Sequence, residues 1–297
     1  VAPFVWAGPN AVVAAAPAKL NLFLEIVGKR PDGYHAIESL ILAVDLFDTL
    51  EFRVAAPGEF RLECDPPGLP TGPENLVVKA AAAHRKRFGP PPTGLAARLT
   101  KRIPTEAGMG GGSSDAAATL RAINRLTRFD RTRDDLLAAA ADCGSDVGFF
   151  LTPQAAWCTG RGEIVEPVPV AGSFHFVIVK PGVGCPTAEV YKHVVVPSSP
   201  RDGRAARTAL SAGDPEALGR ACFNRLQDST FLLAPEARTV YNRLIAAKPL
   251  AALVAGSGSA VFALCRDAAE ARRVAAFVRE SAPVADSDRV FVVRSYP

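Results

Sequence analysis

Pro104-Thr105-Glu106-Ala107-Gly108-Met109-Gly110-Gly111-Gly112-Ser113-Ser114-Asp115 is the stretch from which the rest of the chain can be read. Four of the five residues 108–112 are glycine, which removes the Cβ atoms that keep a ligand off the backbone. Directly after them, Leu120, Ile123 and Leu126 recur at helical spacing, and the pattern predicts a helix over Ser113–Leu126 with Asp115 in its first turn. The first amides of a helix have no internal partner and its dipole is positive there. Loop and helix start together form a receptor for phosphate oxygens, and Ser113 and Ser114 add hydroxyl donors. A tight turn with a serine cap also fits the segment, but a cap asks for one glycine at most. The loop lacks the Gly-Lys-Ser/Thr ending of a Walker sequence. It also lacks the third glycine of a dinucleotide fingerprint, since Ser113 stands there. Its cation must come from elsewhere in the chain.

Two residues outside the loop could take part in phosphoryl chemistry. Lys19 interrupts the apolar strand signal Lys19–Val27, with Asn21 two positions on. Residues two apart on a strand share a face, so both could reach a cleft; a solvent-facing lysine at a strand start is the other reading. Asp146 lies in Cys143-Gly144-Ser145-Asp146-Val147-Gly148-Phe149-Phe150, between a helix signal and an apolar run. It could accept a proton from a substrate hydroxyl, or merely cap a turn. One anion cradle, one cation and one placed base suffice for phosphoryl transfer.

Elements on either side follow from periodicity and punctuation. Extended segments are predicted over Ser39–Val54 and Ala96–Ile103. A helix is predicted over Asn75–Phe88, capped by Asn75 and stopped by Gly89, and another over Asp134–Asp142. Past about Ser173 the pattern restarts: strand Phe174–Val179, helix Thr187–His193, a polar stretch Pro197–Asp214, and helix Glu236–Ala247. Then come strand Ala252–Val254, the turn Gly256-Ser257-Gly258-Ser259, strand Val261–Leu264, helix Ala268–Glu280 and strand Arg289–Arg294. Strands and helices in this order suit an α+β sandwich, with a domain boundary between residues 160 and 172.

Composition bounds the function. The chain has 297 residues, 48% hydrophobic and 22% charged, with 34 basic and 30 acidic side chains and a net charge of +4. That suits a folded protein with an anionic small-molecule substrate. No Lys/Arg block of the kind that grips a nucleic-acid backbone is present; His84-Arg85-Lys86-Arg87 reads as a solvated helix end. Cys64, Cys143, Cys158, Cys185, Cys222 and Cys265 are scattered and form no CxxC pair. Free thiols in a reducing compartment are therefore expected, rather than a disulfide scaffold or a zinc site. No run of about 18 apolar residues reads as a membrane helix. The opening residues carry no charge before Lys19 and lack the basic start of a signal peptide. A cytoplasmic protein is expected, with no membrane, nucleic-acid or evident protein partner.

The assembled motifs carry a resemblance. Pro17-Ala18-Lys19-Leu20-Asn21-Leu22-Phe23-Leu24 with Gly28-Lys29-Arg30-Pro31-Asp32-Gly33-Tyr34-His35 resembles the first motif of the 4-diphosphocytidyl-2-C-methyl-D-erythritol kinases. These belong to the GHMP kinase superfamily and serve the non-mevalonate isoprenoid pathway. Gly108–Ser114 resembles the second superfamily motif, and Gly256-Ser257-Gly258-Ser259-Ala260-Val261-Phe262 the third. Pro181-Gly182-Val183 with Thr187-Ala188-Glu189-Val190-Tyr191 is similar to another segment of the same kinases. The second and third motifs indicate only the superfamily; the Lys-Arg-Pro-Asp-Gly-Tyr-His block points to this family.

The resemblance implies a two-domain α+β GHMP kinase fold. Residues 1–165 would form an ATP-binding domain like ribosomal protein S5, and residues 166–297 a ferredoxin-like α/β sandwich, with the active site in the cleft between them. It implies ATP as donor, Mg2+ as companion, and the C2 hydroxyl of 4-diphosphocytidyl-2-C-methyl-D-erythritol as acceptor. Lys19 and Asp146 match the catalytic pair, with Lys19 keeping Asp146 ionised. Pro104, Gly108, Gly110, Gly111, Gly112, Ser113 and Ser114 would hold the ATP phosphates, with Lys101 as an accessory. Asn21, Tyr34, His35, Thr187 and Tyr191 would shape the cytidine-diphosphate site, with His35 on the cytosine edge and Tyr34 or Tyr191 against the ring. Metal ligands are not readable, although Ser114 is a candidate contact.

Departures from the pattern exist. Met109 replaces the usual Leu. Glu106 puts a carboxylate beside the loop and is expected to face solvent or a metal. Asn224-Arg225-Leu226-Gln227-Asp228 only loosely matches the family's Asn-Asp-x-Glu segment, and Val1–Ala14 has no counterpart. Another GHMP kinase, acting on mevalonate, homoserine or a sugar, is the rival reading; a silent nucleotide-binding module is a third, against which Lys19 and Asp146 both stand.

Overall fold

The computed structural model describes residues 4–127, 129–152, 154–281 and 288–296. It divides into two compact units that interleave along the chain. One comprises Val1–Ala18, Leu46–Ile103 and Gly110–Pro153; the other comprises Lys19–Asp45, Pro104–Met109 and Gln154–Pro297. Two long strands, β2 (Ala11–Lys29) and β3 (His35–Ala55), contribute a segment to each unit.

In the first unit, β1 (Phe4–Ala7) pairs antiparallel with the start of β2, and β4 (Phe60–Asp65) lies parallel to β5 (Gly94–Thr100). Strand β5 in turn runs antiparallel to Thr49–Ala55 of β3. Helices α1 (Leu76–Phe88), α2 (Gly111–Thr127) and α3 (Arg133–Ala141) pack on one another. The core is built from alternate strand residues, including Val12, Ala14, Ala16, Leu50 and Phe52, set against Val77, Ala118, Ala122 and Ile123 of the helices. Strand β2 alternates buried and half-buried residues as far as Pro17 and is continuously buried from Ala18 to Ile26. The change marks a strand covered on one face becoming one covered on both.

In the second unit, β6 (Ala155–Thr159) pairs with Ser39–Leu42 of β3, and β7 (Ile164–Pro167) pairs with β6. A separate four-stranded antiparallel sheet follows the order β10-β11-β8-β12, with β8 at His175–Lys180 and β12 at Arg289–Arg294. Strands β10 and β11 span Ala251–Val254 and Val261–Cys265. Between β8 and β10 run α4 (Thr187–Lys192), α5 (Arg204–Ala212), α6 (Pro215–Ala221), the short β9 (Phe223–Asn224), α7 (Gln227–Leu233) and α8 (Pro235–Ala246). Helix α9 (Ala268–Glu280) starts on an Asp267 side chain that accepts from the Glu270 amide at 2.8 Å. It buries Ala271, Val274, Ala275 and Val278, the i, i+3, i+4, i+7 stripe of an amphipathic helix. That stripe and α8 pack against the sheet, so this unit contains an α/β sandwich.

Three differences from the sequence reading have physical causes. Helix α2 begins at Gly111, two residues before the predicted start, so two of the loop's glycines form its first turn. Strand β2 begins at Ala11, ahead of the strand signal read from Lys19, and Pro17 does not interrupt it because it falls between the stretch paired with β1 and the stretch paired with β9. The short helix α5 lies within the stretch Pro197–Asp214 that was read as polar, and α6 follows directly after it. All six cysteines are free, and burial pushes the Cys143 and Cys265 thiols up to about 11 and about 12, out of the range of a working nucleophile. No helix among the described residues is long and apolar enough to cross a membrane.

Candidate active site

In the second unit, two glycine-bearing loops meet at Lys19. The Lys19 side chain is 4% exposed, and its Nζ donates to Asn21 Oδ1 at 2.5 Å. Asn21 Nδ2 donates to Ser39 Oγ at 2.8 Å, and that hydroxyl donates to the Phe23 carbonyl. The Lys19 amide donates to the Met109 carbonyl at 3.0 Å, which lays the first half of the glycine loop along β2 where neither β1 nor β9 pairs. Gly256 (φ 54°) faces the same group: a Cβ there would lie 2.8 Å from the Gly108 carbonyl, 3.1 Å from Asn21 Oδ1 and 3.2 Å from Lys19 Nζ. Gly108 (φ 72°) in turn has no room for a Cβ against the Ala255 carbonyl. The two glycine loops thus touch backbone to backbone, a contact open only to glycine.

Pro104–Met109 is held from its other side as well. The Glu106 carbonyl accepts from the Ser259 amide at 3.2 Å, and the Ser259 hydroxyl donates to the Val183 carbonyl. Lys180 Nζ donates to the carbonyls of Pro181 and Val183 at 2.8 and 2.7 Å; burial, partly offset by Glu106, holds its ammonium below the usual lysine range. Glu106 is exposed, and its side chain lies against Gly184. Its carboxylate therefore faces solvent rather than the interior of the loop.

The substrate-side candidates form a second cluster in this unit. His35 and Tyr191 stand ring to ring with centroids 5.4 Å apart. Thr187 Oγ1 and Ser257 Oγ are hydrogen-bonded at 2.8 Å. Tyr34 is 55% exposed, with the Arg161 guanidinium 4.9 Å above its ring, while its amide donates to Asp32 Oδ1 inside the Pro-Asp-Gly turn. Burial, with Lys29 nearby, lowers the His35 imidazole below its ordinary value.

In the first unit, Gly110–Ser114 forms the opening turn of α2, with the Ser114 amide donating to the Gly110 carbonyl at 2.9 Å. The Ser114 hydroxyl and Asp115 Oδ1 are buried with no hydrogen-bond partner. Asp146 sits half-buried in the 3-10 turn Ser145–Val147, which packs against α2. Lys101 stands beside the loop at Gly111 with its ammonium engaged by two carboxylates. Its Nζ donates to Asp48 Oδ2 at 2.5 Å and to Asp115 Oδ2 at 2.8 Å.

Three of these participants carry no sequence signal as site residues: Ser39 and Asp48 are polar members of the extended segment Ser39–Val54, and Arg161 stands outside every motif. Asn224 belongs to the segment given no role above; its Nδ2 holds the Val254 and Gly256 carbonyls at 2.8 and 2.7 Å. Among the described residues, no group of three or more His, Cys, Asp or Glu side chains could hold a metal ion.

Comparison with known proteins ranks the readings of this geometry. Residues 75–153 match the model of the GHMP kinases N terminal domain and residues 206–284 that of the GHMP kinases C terminal. A 4-diphosphocytidyl-2-C-methyl-D-erythritol kinase of Pelotomaculum thermopropionicum is 39% identical over 96% of this chain and 98% of its own length. The chain belongs to this kinase family. An Acidovorax member is 41% identical over 84% of this chain and 85% of its own length. The crystal structure of a 4-(cytidine 5'-diphospho)-2C-methyl-D-erythritol kinase superposes with a TM-score of 0.79 at 33% identity, covering 96% of this chain and all of that one. A homoserine kinase from Cytophaga hutchinsonii shares the fold alone, with a TM-score of 0.75 at 20% identity. The family is an ATP-dependent kinase family with the two-domain α+β GHMP fold, as the motif order implied.

Proposed function

We propose that this chain transfers the γ-phosphoryl group of ATP to the C2 hydroxyl of 4-diphosphocytidyl-2-C-methyl-D-erythritol, as a cytoplasmic enzyme of isoprenoid precursor synthesis. The observation that carries the reading is the pairing of His35 with Tyr191 in the unit that also gathers Lys19, Asn21 and the two glycine loops. An aromatic face beside a hydrogen-bonding imidazole suits a cytosine ring. The rival acceptors, mevalonate and homoserine, have no ring to use it.

Roles follow the chemistry of each group. Asp146 accepts the proton of the attacking hydroxyl. The Lys19 ammonium, oriented by Asn21, offsets negative charge that builds on the transferring phosphoryl oxygens. Pro104 and the amides of Gly108–Ser114 receive the ATP phosphates. Asn21 and Thr187 bound the acceptor, with Tyr34, His35 and Tyr191 on the cytidine. The orphaned, buried Ser114 hydroxyl at the start of α2 fits the coordination sphere of a hard oxygen-seeking cation, directly or through water. Mg2+ bound there supplies neutralisation of phosphate charge. The division of the sequence at residue 165 into ATP-binding and C-terminal domains belongs to the same reading.

Purified protein incubated with ATP and, separately, with the cytidyl acceptor, mevalonate and homoserine tests it. Phosphorylation of the cytidyl acceptor alone is expected, with Asp146→Asn lowering kcat about 1000-fold, within the ~10²–10⁴ typical of a general base. Turnover of mevalonate but not of the cytidyl acceptor overturns the assignment, and an unaltered rate in Asp146→Asn removes the base.

A further inference from the structure

The Lys101 ammonium lies between two buried carboxylates of the first unit. The side chains of Asp48, Lys101 and Asp115 are 0%, 10% and 3% exposed. Asp48 also accepts the amides of Arg102 at 2.5 Å and Ile103 at 2.9 Å through Oδ1, while the Lys101 amide donates to the Asp65 carbonyl at 2.7 Å. Three pieces of backbone are thereby tied to one ammonium: β3 through Asp48, the segment leaving β5 through residues 101–103, and α2 through Asp115, which falls just past the first turn because the helix starts at Gly111 rather than Ser113. Gly111 completes the arrangement. A Cβ there would crowd Lys101 Nζ at 3.1 Å and Ile103 Cγ2 at 3.0 Å, so the glycine lets the helix start settle onto the ammonium.

Buried ion pairs are costly unless every partner is satisfied, and this one is not: Asp115 Oδ1 has no hydrogen-bond partner. An arrangement this expensive, at the start of the helix whose amides are assigned to the ATP phosphates, calls for an explanation beyond stability.

We propose that Asp48, Lys101 and Asp115 form a clamp that positions the first turn of α2, and with it the Gly110–Ser114 amides, for the phosphates of ATP. In this clamp Lys101 is a positioning residue that never contacts the nucleotide. The proposal rests on the ATP-binding role assigned to that turn, and it replaces the direct phosphate contact that the sequence suggested for Lys101. The two alternatives predict opposite effects for the acidic partners. If Lys101 were a phosphate ligand, removing either carboxylate charge would release its ammonium toward ATP and tighten binding. If the three act as a clamp, removing any one lets the turn shift and weakens binding.

The test is calorimetric binding of a non-hydrolysable ATP analogue with Mg2+ to the wild type, Asp48→Asn, Asp115→Asn, Lys101→Met and the charge-balanced double Lys101→Met/Asp115→Asn. Cytidine diphosphate affinity and turnover are measured alongside. Each single variant is expected to weaken the analogue about 10-fold or more and to raise KM for ATP correspondingly. Cytidine diphosphate affinity and kcat at saturating ATP should stay within about 3-fold. The double should be no worse than Lys101→Met alone, since one broken clamp cannot be broken twice. Unchanged or tighter analogue binding in Asp115→Asn, with weaker binding in Lys101→Met, overturns the clamp. If a single variant fails to fold, the double decides, and wild-type affinity in a folded double also overturns the proposal. A wild type that binds the analogue but phosphorylates no cytidyl acceptor refutes the proposed function, while the comparison among variants still judges the clamp.

Discussion

Asn224 donates a 2.7 Å hydrogen bond from its side-chain amide to the carbonyl of Gly256, the residue where a Cβ would press on Lys19 Nζ and Asn21 Oδ1. The same nitrogen reaches the Val254 carbonyl, while Oδ1 accepts the Leu226 amide at 2.9 Å. One side chain thus fixes the loop that bears on Lys19. Asn224→Asp keeps the shape and the Leu226 contact but turns two donated bonds into acceptor–acceptor repulsion. An uncompensated buried polar group costs about 1–3 kcal/mol, and kcat/KM is expected to fall at least 10-fold, beyond any loss in Tm. A wild-type kcat/KM in this variant would remove the loop from the list of functional elements.

Glu25 is wholly buried and receives two 2.7 Å bonds from Arg225, plus the amides of Ile26 and Arg201. Desolvation raises its pKa, but the Arg225 hydrogen bond and the two amides outweigh it and hold the carboxyl below 4.5. Arg225→Met leaves an unpaired buried carboxylate and is expected to cost about 3–5 kcal/mol, with Glu25→Gln/Arg225→Met recovering much of that. Because the folded value is depressed, this stability is present above the unfolded pKa and is lost as pH falls through the folded one. Urea unfolding of the two variants, compared at pH 7 and below 4.5, checks both statements. Equal stability of Arg225→Met and wild type at pH 7 would count against them.

The contrast between these two residues and α9 shows what the sequence could reveal. Helix α9 and strand β12 lie where their periodicity put them, because Ala271, Val274, Ala275 and Val278 form an unbroken stripe after a capping Asp267. Helices α5 to α7 were not legible: α5 buries only Ala206, Ala209 and Leu210 and has no side-chain cap, so tertiary contact rather than local pattern forms it. The glycine loops announced themselves through composition. Asp48 and Asn224 did not, since a polar residue becomes a buried partner only when strands distant in sequence close over it. The start of α2 at Gly111 was misjudged for a related reason. Glycine's poor helix propensity argues for a later start, but its missing side chain is what Lys101 needs.

His35 and Tyr191, with ring centroids 5.4 Å apart, allow the acceptor side to be tested separately from the nucleotide side. Aromatic contacts of this kind are worth about 0.5–1.5 kcal/mol beyond burial. Tyr191→Leu is accordingly expected to raise KM for the cytidyl acceptor roughly 3–10-fold while leaving KM for ATP within about 2-fold. Steady-state kinetics with each substrate varied in turn provide the measurement. Equal increases in both constants would mean that Tyr191 is core rather than cytidine face.

His84 is 1% exposed; its ring stacks on Phe129 at 5.5 Å and meets the edge of Phe88 at 4.9 Å, and its Nε2 has no partner. The Arg131 guanidinium lies over Phe88 and Phe129 at 4.8 and 5.2 Å. Burial first, and Arg131 second, push the imidazole down from 6.5 to about 4. Between those values the unfolded chain binds a proton that the folded chain refuses, so stability must fall as pH drops from about 6.5 toward 4 and level off below. The full difference corresponds to roughly 3 kcal/mol. His84→Phe removes the titration and keeps an aromatic ring in the pocket, so its unfolding free energy should lose most of that slope between pH 7.5 and 4.5. If wild type and His84→Phe show the same slope over that interval, the histidine is not what makes the fold acid-sensitive there, and other groups must carry the dependence.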